Sequence, residues 1–156
     1  MEDIYLYCKE KLENGKFRIT PQRLSIFRCL MESDSHPSAE MIYNKVKKEY
    51  PNISFDTVNR TLLSLLEKGF IQMVESGHGP RRFDAELRLH YHFRCLYCKR
   101  IFDFDCPSYD KIEIPEEIKK RFKVLRQNIV IEGICSECFR NKKKKNDYLE
   151  KLKRLN

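Results

Sequence analysis

Apolar positions recur at helical spacing along residues 2–68 and then give way to shorter, strand-like runs. Residues 2–14 read as a helix with Ile4, Leu6, Tyr7 and Leu12 as its apolar positions. Thr20-Pro21 predicts a second start, a capping hydroxyl followed by proline at the first helical position. Leu24, Ile26, Phe27 and Leu30 then supply a buried face to about Glu32. Ser38 can cap a third helix with Met41, Ile42 and Val46 as its apolar positions, and Pro51 follows its end. Ser54 can cap a fourth, in which Val58, Leu62, Leu65 and Leu66 face inward and Gly69 ends the run.

Two strands are expected next, Phe70 to Glu75 and Arg81 to Ala85, flanking the turn-rich segment Ser76 to Pro80. Three helices followed by a two-stranded hairpin is the order of a winged helix-turn-helix, with helix 55–68 in the recognition position. The pattern changes near residue 86. Residues 90–104 read as two short strands around a cysteine knuckle, Pro115 to Phe122 as a short helix and Val124 to Ile131 as a strand. A second knuckle spans Cys135 to Cys138, and the tail from about Asn141 reads as a basic helix. The expected architecture is α+β: a winged-helix domain over 1–85 and a small α/β domain over 86–156.

Composition narrows the class. With 41% hydrophobic residues in 156, a packed core is feasible. No run approaches the roughly 20 apolar residues of a membrane helix. The acidic, polar opening lacks the features of a signal peptide, so a cytoplasmic location and no membrane partner are expected. The net charge of +8 hints at a polyanionic partner. Residues 1–84 hold 13 Lys and Arg against 12 Asp and Glu, and residues 85–156 hold 18 against 11. Much of the excess therefore sits in the tail around Lys142 to Lys145 and Lys151 to Arg154, where a solvated helix end is the plainer reading.

Seven cysteines point to metal or redox chemistry. Cys95 and Cys98, and again Cys135 and Cys138, are C-x2-C pairs. Each pair can aim two sulfurs at one ion from a tight turn, and two pairs complete a tetrahedral sulfur shell that favours zinc. A redox dithiol would need only one pair, and a closed shell leaves no open position for catalysis. The 36 residues between the knuckles imply that the ion clamps two ends of a small sheet. Cys8, Cys29 and Cys106 read as packing residues, as do Phe17, Phe27, Tyr43 and Phe55.

A second constellation is built from harder donors. His90 and His92 are two apart on an expected strand, so both leave one face. Asp84, beside the domain boundary, and Asp103, on the partner strand, could approach them; Asp105 is the substitute. His36 is a further candidate that spacing does not link to the others. Three imidazoles and two carboxylates suit Fe(II) or Mn(II). Such a site, spanning two domains, would select one conformer and act as a switch rather than a catalyst.

The ordered set RITPQR (18–23), HPSAEMIY (36–43), DTVNRTL (56–62), RRFD (81–84), HYHFRCLYC (90–98), IFDF (101–104) and GICSEC (133–138) resembles the ferric uptake regulator family, and most closely its peroxide-sensing branch. The resemblance implies a C-terminal dimerisation domain, a homodimer and a palindromic double-stranded DNA operator. It implies structural zinc on the four cysteines and a regulatory Fe(II) or Mn(II) on His36, Asp84, His90, His92 and Asp103. Asp at position 103 looks like the peroxide-sensing branch, in which Fe(II) reacts with peroxide, the ligand histidines are oxidised and DNA is released. A manganese form would repress but resist peroxide.

Arg18, Arg23, Thr57, Asn59, Arg60 and Ser64 are the candidate DNA contacts. Asn can contact adenine and Arg guanine in the major groove. The recognition helix departs from the family pattern, because Asn59 replaces a tyrosine and Asp56 adds a negative charge, while Arg60 is more like the iron-sensing branch. Leu89, Tyr91 and Gln127 stand where some members place further metal ligands. The reading is a non-enzymatic, metal-dependent repressor that senses peroxide. The alternatives are an iron- or manganese-responsive regulator without peroxide sensing, a thiol oxidoreductase or metal-dependent hydrolase, and a DNA-binding protein without sensing.

Overall fold

The computed structural model describes residues 2–33, 35–74, 79–125 and 127–141. The chain divides into two compact units, Met1–Arg88 and Leu89–Asn156. Residues 76–78 of the expected turn Ser76 to Pro80, and the expected basic tail beyond Asn141, fall outside the described residues. Among the described residues no helix is long and apolar enough to cross a membrane.

The first unit holds α1 (Glu2–Asn14), α2 (Pro21–Met31), α3 (Ala39–Glu49), α4 (Phe55–Glu67) and an antiparallel pair, β1 (Gln72–Val74) and β2 (Arg82–Asp84). Each of the last three helices starts on a capping side chain. Thr20 Oγ1 accepts from the Arg23 N–H, Ser38 Oγ from Met41, and Ser54 Oγ from Thr57. Each bond satisfies one donor that the helix cannot satisfy itself. Gly69, at φ 73°, takes the left-handed conformation that closes the turn after α4. Leu24, Ile26, Phe27 and Leu30 of α2 meet Ile42 and Val46 of α3 and Val58, Leu62 and Leu65 of α4 in one apolar cluster. Full burial of each large side chain contributes about 1.5–3 kcal/mol.

Some expected core positions turn outward. In α1, Leu6 and Tyr7 are half exposed, because the buried stripe runs at intervals of four through Ile4, Cys8 and Leu12. Met41 is exposed at the first turn of α3, where its sulfur meets Arg82 rather than the core. Leu66 is only partly buried. Phe55 opens α4 at the surface and packs edge-on against Tyr43, with ring centroids 5.9 Å apart.

The second unit is a three-stranded sheet, β4 (Ile101–Phe104), β3 (Tyr91–Cys95) and β5 (Val130–Gly133) in that order, with helices α5 (Glu116–Arg121) and α6 (Ser136–Arg140). Strand β3 pairs antiparallel with β4 and parallel with β5. The last strand starts later than expected. It pairs only from Val130, opposite His92, and Leu125 ahead of it is almost fully exposed. A strand extends only as far as its partner, and β3 has five residues. The second knuckle opens into α6, with Cys135 at its N-cap position.

Candidate metal centres and nucleic-acid interface

The two knuckles meet at one end of the sheet. Leu96 donates to the Gly133 carbonyl at 2.8 Å, and Cys135 donates its N–H to Cys95 Sγ at 3.4 Å. The four sulfurs of Cys95, Cys98, Cys135 and Cys138 lie within 4.8 Å of one another, with Cys98 and Cys135 at 3.8 Å. Sulfurs held tetrahedrally 2.3 Å from one zinc ion would be about 3.8 Å apart, so the donor set fits zinc. Burial works against the thiolate at Cys95, but N–H groups of Cys135, Cys98 and Tyr97 outweigh it and bring its pKa to about 6. Burial opposes ionisation of Cys98 too, and the Arg100 guanidinium, 3.4 Å from its sulfur, reverses the balance. Cys138 is pushed up to about 12 by burial and by the neighbouring sulfurs. A bound cation would favour the charged form of such a thiol. Arg100 is itself held by Glu137. The Arg100–Glu137 pair beside the sulfurs has no signature in the C-x2-C spacing, beyond a basic residue two positions after Cys98.

The harder donors are carried by both units. In the second unit His92 stands directly opposite Asp103 across the β3–β4 ladder. His90, one residue before β3, leaves the same face. The Nε2 atoms of His90 and His92 are 3.0 Å apart, and Asp103 Oδ1 lies 3.7 and 3.5 Å from them. Both imidazoles are buried and the aspartate is partly exposed. Two nitrogens bound at right angles about 2.1 Å from one ion would be about 3.0 Å apart. The same separation allows a hydrogen bond between neutral rings, and the carboxylate oxygen facing both rings is what favours an ion. Asp105 follows the end of β4.

In the first unit His36 and Asp84 are both buried, with Nε2 and Oδ2 3.8 Å apart. The carboxylate is fixed by its neighbours. Its Oδ2 accepts from Gln72 Nε2 at 2.9 Å and its Oδ1 from the Glu86 N–H at 2.8 Å. Gln72 sits opposite Asp84 in the β1–β2 register and also donates to the Glu86 carbonyl. Nothing in the sequence marks Gln72 before the β1–β2 register is known. His36 has a backbone φ of 47°, a conformation that costs a non-glycine residue about 1–3 kcal/mol.

Five of the six candidate DNA contacts line one groove of about 520 Å3 in the first unit: Arg18, Arg23, Thr57, Arg60 and Ser64, with Asp56 among them. Asn59 lies on the same helix but outside that lining. Arg23 donates to the Arg18 carbonyl at 2.9 Å and lies over the Phe17 ring. Arg60 and Asp56 form an exposed ion pair at 3.8 Å, one turn apart on α4.

Of the remaining cysteines, Cys8 is fully buried, which pushes its thiol up to about 11, and Cys29 packs against the same cluster. Cys106 departs from expectation: it belongs to neither apolar cluster and its sulfur lies 3.0 Å from Ser108 Oγ.

Known proteins with the same pattern carry the comparison further. The peroxide-responsive repressor PerR of Staphylococcus epidermidis is 36% identical over 127 residues, 81% of this chain and 85% of that protein. Among solved structures, the Helicobacter pylori ferric uptake regulator, described as having three functional metal binding sites, superposes with a TM-score of 0.69 at 26% identity, over 88% of this chain and 92% of that one. The Campylobacter jejuni peroxide stress regulator gives 0.61 at 26% identity, over 83% and 95%. The family model for the ferric uptake regulators matches residues 14–132, which include the capped helices, the hairpin and the His/Asp strands, and the chain belongs to the ferric uptake regulator family.

Proposed function

We propose that this chain is a metal-dependent transcriptional repressor that binds a palindromic double-stranded operator as a homodimer and senses peroxide through Fe(II). The observation that carries this reading is the convergence of His90, His92 and Asp103 on one small volume. It stands beside the likeness to staphylococcal proteins named as peroxide-responsive repressors. We assign His36 and Asp84 as the other two ligands of the same regulatory ion, on their burial and their 3.8 Å approach. Bound Fe(II) would supply reactivity toward peroxide, which Mn(II) would not. The chain's own residues bind and orient: imidazole nitrogens serve as neutral donors, and Gln72 and the Glu86 N–H aim the Asp84 carboxylate.

Zinc on Cys95, Cys98, Cys135 and Cys138 has a bracing role in this reading, not a sensing one. The groove along α4 is the DNA face in this reading: Arg18 and Arg23 take phosphates or the minor groove, and Thr57, Arg60 and Ser64 face the major groove together with Asn59, which lies on α4 outside the groove lining. The apolar groove lined by Phe93, Phe102, Phe104, Ile131 and Ile134 in the second unit suits a contact with a second copy. A repressor of this kind works in the cytoplasm, and we read the chain as a regulator rather than an enzyme.

The test is binding to a duplex selected from random sequence, followed by fluorescence anisotropy with Mn(II) or Fe(II), with and without hydrogen peroxide. Both metal forms are expected to bind, and peroxide should release only the iron form. An iron form that holds DNA through peroxide exposure would move the reading to an iron- or manganese-responsive regulator.

A further inference from the structure

His36 stands in the left-handed backbone region, at φ 47°, directly ahead of Pro37. That conformation is disfavoured twice, because the side chain crowds the following carbonyl and because a residue before proline is pushed toward extended backbone. It persists only where the surroundings over-determine it. Strand β2 supplies those surroundings. The Phe83 N–H donates to the Pro37 carbonyl at 3.1 Å, and Arg82 pairs with Ser38 in an isolated antiparallel bridge. The Arg82 guanidinium then reaches the His36 carbonyl itself, with Nη1 3.3 Å from the oxygen. The same nitrogen lies 3.1 Å from Met41 Sδ in the first turn of α3. One side chain thus ties the His36 loop both to the strand that carries Asp84 and to the helix that Ser38 caps.

We propose that Arg82 is a positioning residue for the regulatory metal site, holding His36 in the left-handed conformation that brings its imidazole to Asp84. The proposal rests on the assignment of His36 as a ligand of the regulatory ion. Arg82 would act through the backbone of that ligand, as partners of ligands commonly do. The sequence offers no way to choose between two adjacent arginines, and Arg82 is singled out by its contacts to the His36 carbonyl and Met41 and by its bridge to Ser38.

The experiment is a Mn(II) titration of the full-length, zinc-loaded protein, with free Mn(II) followed by electron paramagnetic resonance. Wild type, Arg82→Met, His36→Ala and the double variant are compared. Arg82→Met is expected to weaken Mn(II) binding by about 10-fold when His36 is present, and to add no loss in the His36→Ala background. Equal losses in both backgrounds, or no loss with His36 present, would overturn the proposal. If His36→Ala itself leaves Mn(II) affinity intact, the ligand assignment fails first, and the proposal fails with it. Should Arg82→Met lower the melting temperature before manganese is added, Arg82→Lys replaces it. That variant keeps a donor and is expected to regain affinity only with His36 present; no regain overturns the positioning role.

Discussion

Asp56 and Arg60 together set the charge that the first turns of α4 would offer to DNA. Both side chains are largely exposed, and they pair at 3.8 Å on adjacent turns of α4. An exposed pair at this spacing contributes only about 0.3–0.5 kcal/mol to stability. Its larger effect is on charge: Asp56 offsets the positive helix N-terminus and the arginine together, and it lies in a groove where phosphate oxygens would approach. Asp56→Ala is therefore expected to raise affinity for random duplex and to steepen the plot of log affinity against log salt by about one per protomer. Anisotropy across a salt series measures it, and an unchanged slope would sink the idea. At this scale much of the chemistry was legible in the chain. Two C-x2-C pairs define a sulfur shell by spacing, and His90 and His92 share a face by strand periodicity. The approach of His36 to Asp84 was not legible, because 48 positions separate them and only the β2 pairing with the Pro37–Ser38 segment brings them together. Nor was Gln72, whose role depends on register.

The elements follow local signals closely where caps and breakers are strong. Thr20, Ser38 and Ser54 each start the helix their chemistry implies, and the hairpin strands fall within their expected runs, although shorter. Signals fail where an element depends on its partner. Strand β5 is set by the length of β3, and the outward turn of Leu6 and Tyr7 is set by which stripe of α1 the other helices cover. The junction after α1 is another such place. A Cβ on Gly15 would lie 2.1 Å from Phe70 Cζ. That ring is buried and packs edge-on against Phe17 and Phe27, so it has little freedom to withdraw. Gly15→Ala, ordinarily a mild change near a helix end, is expected to destabilise the first unit by about 1–3 kcal/mol through overpacking. Chemical denaturation followed by helical circular dichroism gives the value, and a loss near zero would mean that Phe70 has room to move.

The two units of the molecule are held together by different means. Among the described residues, the apolar cluster of the first contains sixteen buried residues, drawn from all four helices and the hairpin. That of the second contains three, all cysteines, with Phe93, Tyr97 and Ile134 partly buried against them. A small unit with so little apolar core needs a metal or an equivalent staple. Strong chelation, or Cys98→Ser, is therefore expected to unfold the second unit while the helical signal of the first is retained. Calorimetry should then show one remaining transition. Native-like protection of β3 and β5 amides in zinc-depleted protein would contradict this. Such an imbalance between two cores cannot be read from overall composition, since 41% hydrophobic residues says nothing of where they cluster. Zinc held by Cys98 and Cys135 would have a further consequence in polymer terms. They are 37 positions apart in sequence and 3.8 Å apart in space. A bridge of that span shrinks the set of open conformations much as a disulfide would, worth about 4 kcal/mol in loop-closure entropy. The parallel pairing of β3 with β5 requires a long crossover whose ends must find each other unaided. A zinc ion bound to both knuckles during folding would make that encounter local, and the second unit would have in effect a shorter chain to fold than its sequence suggests.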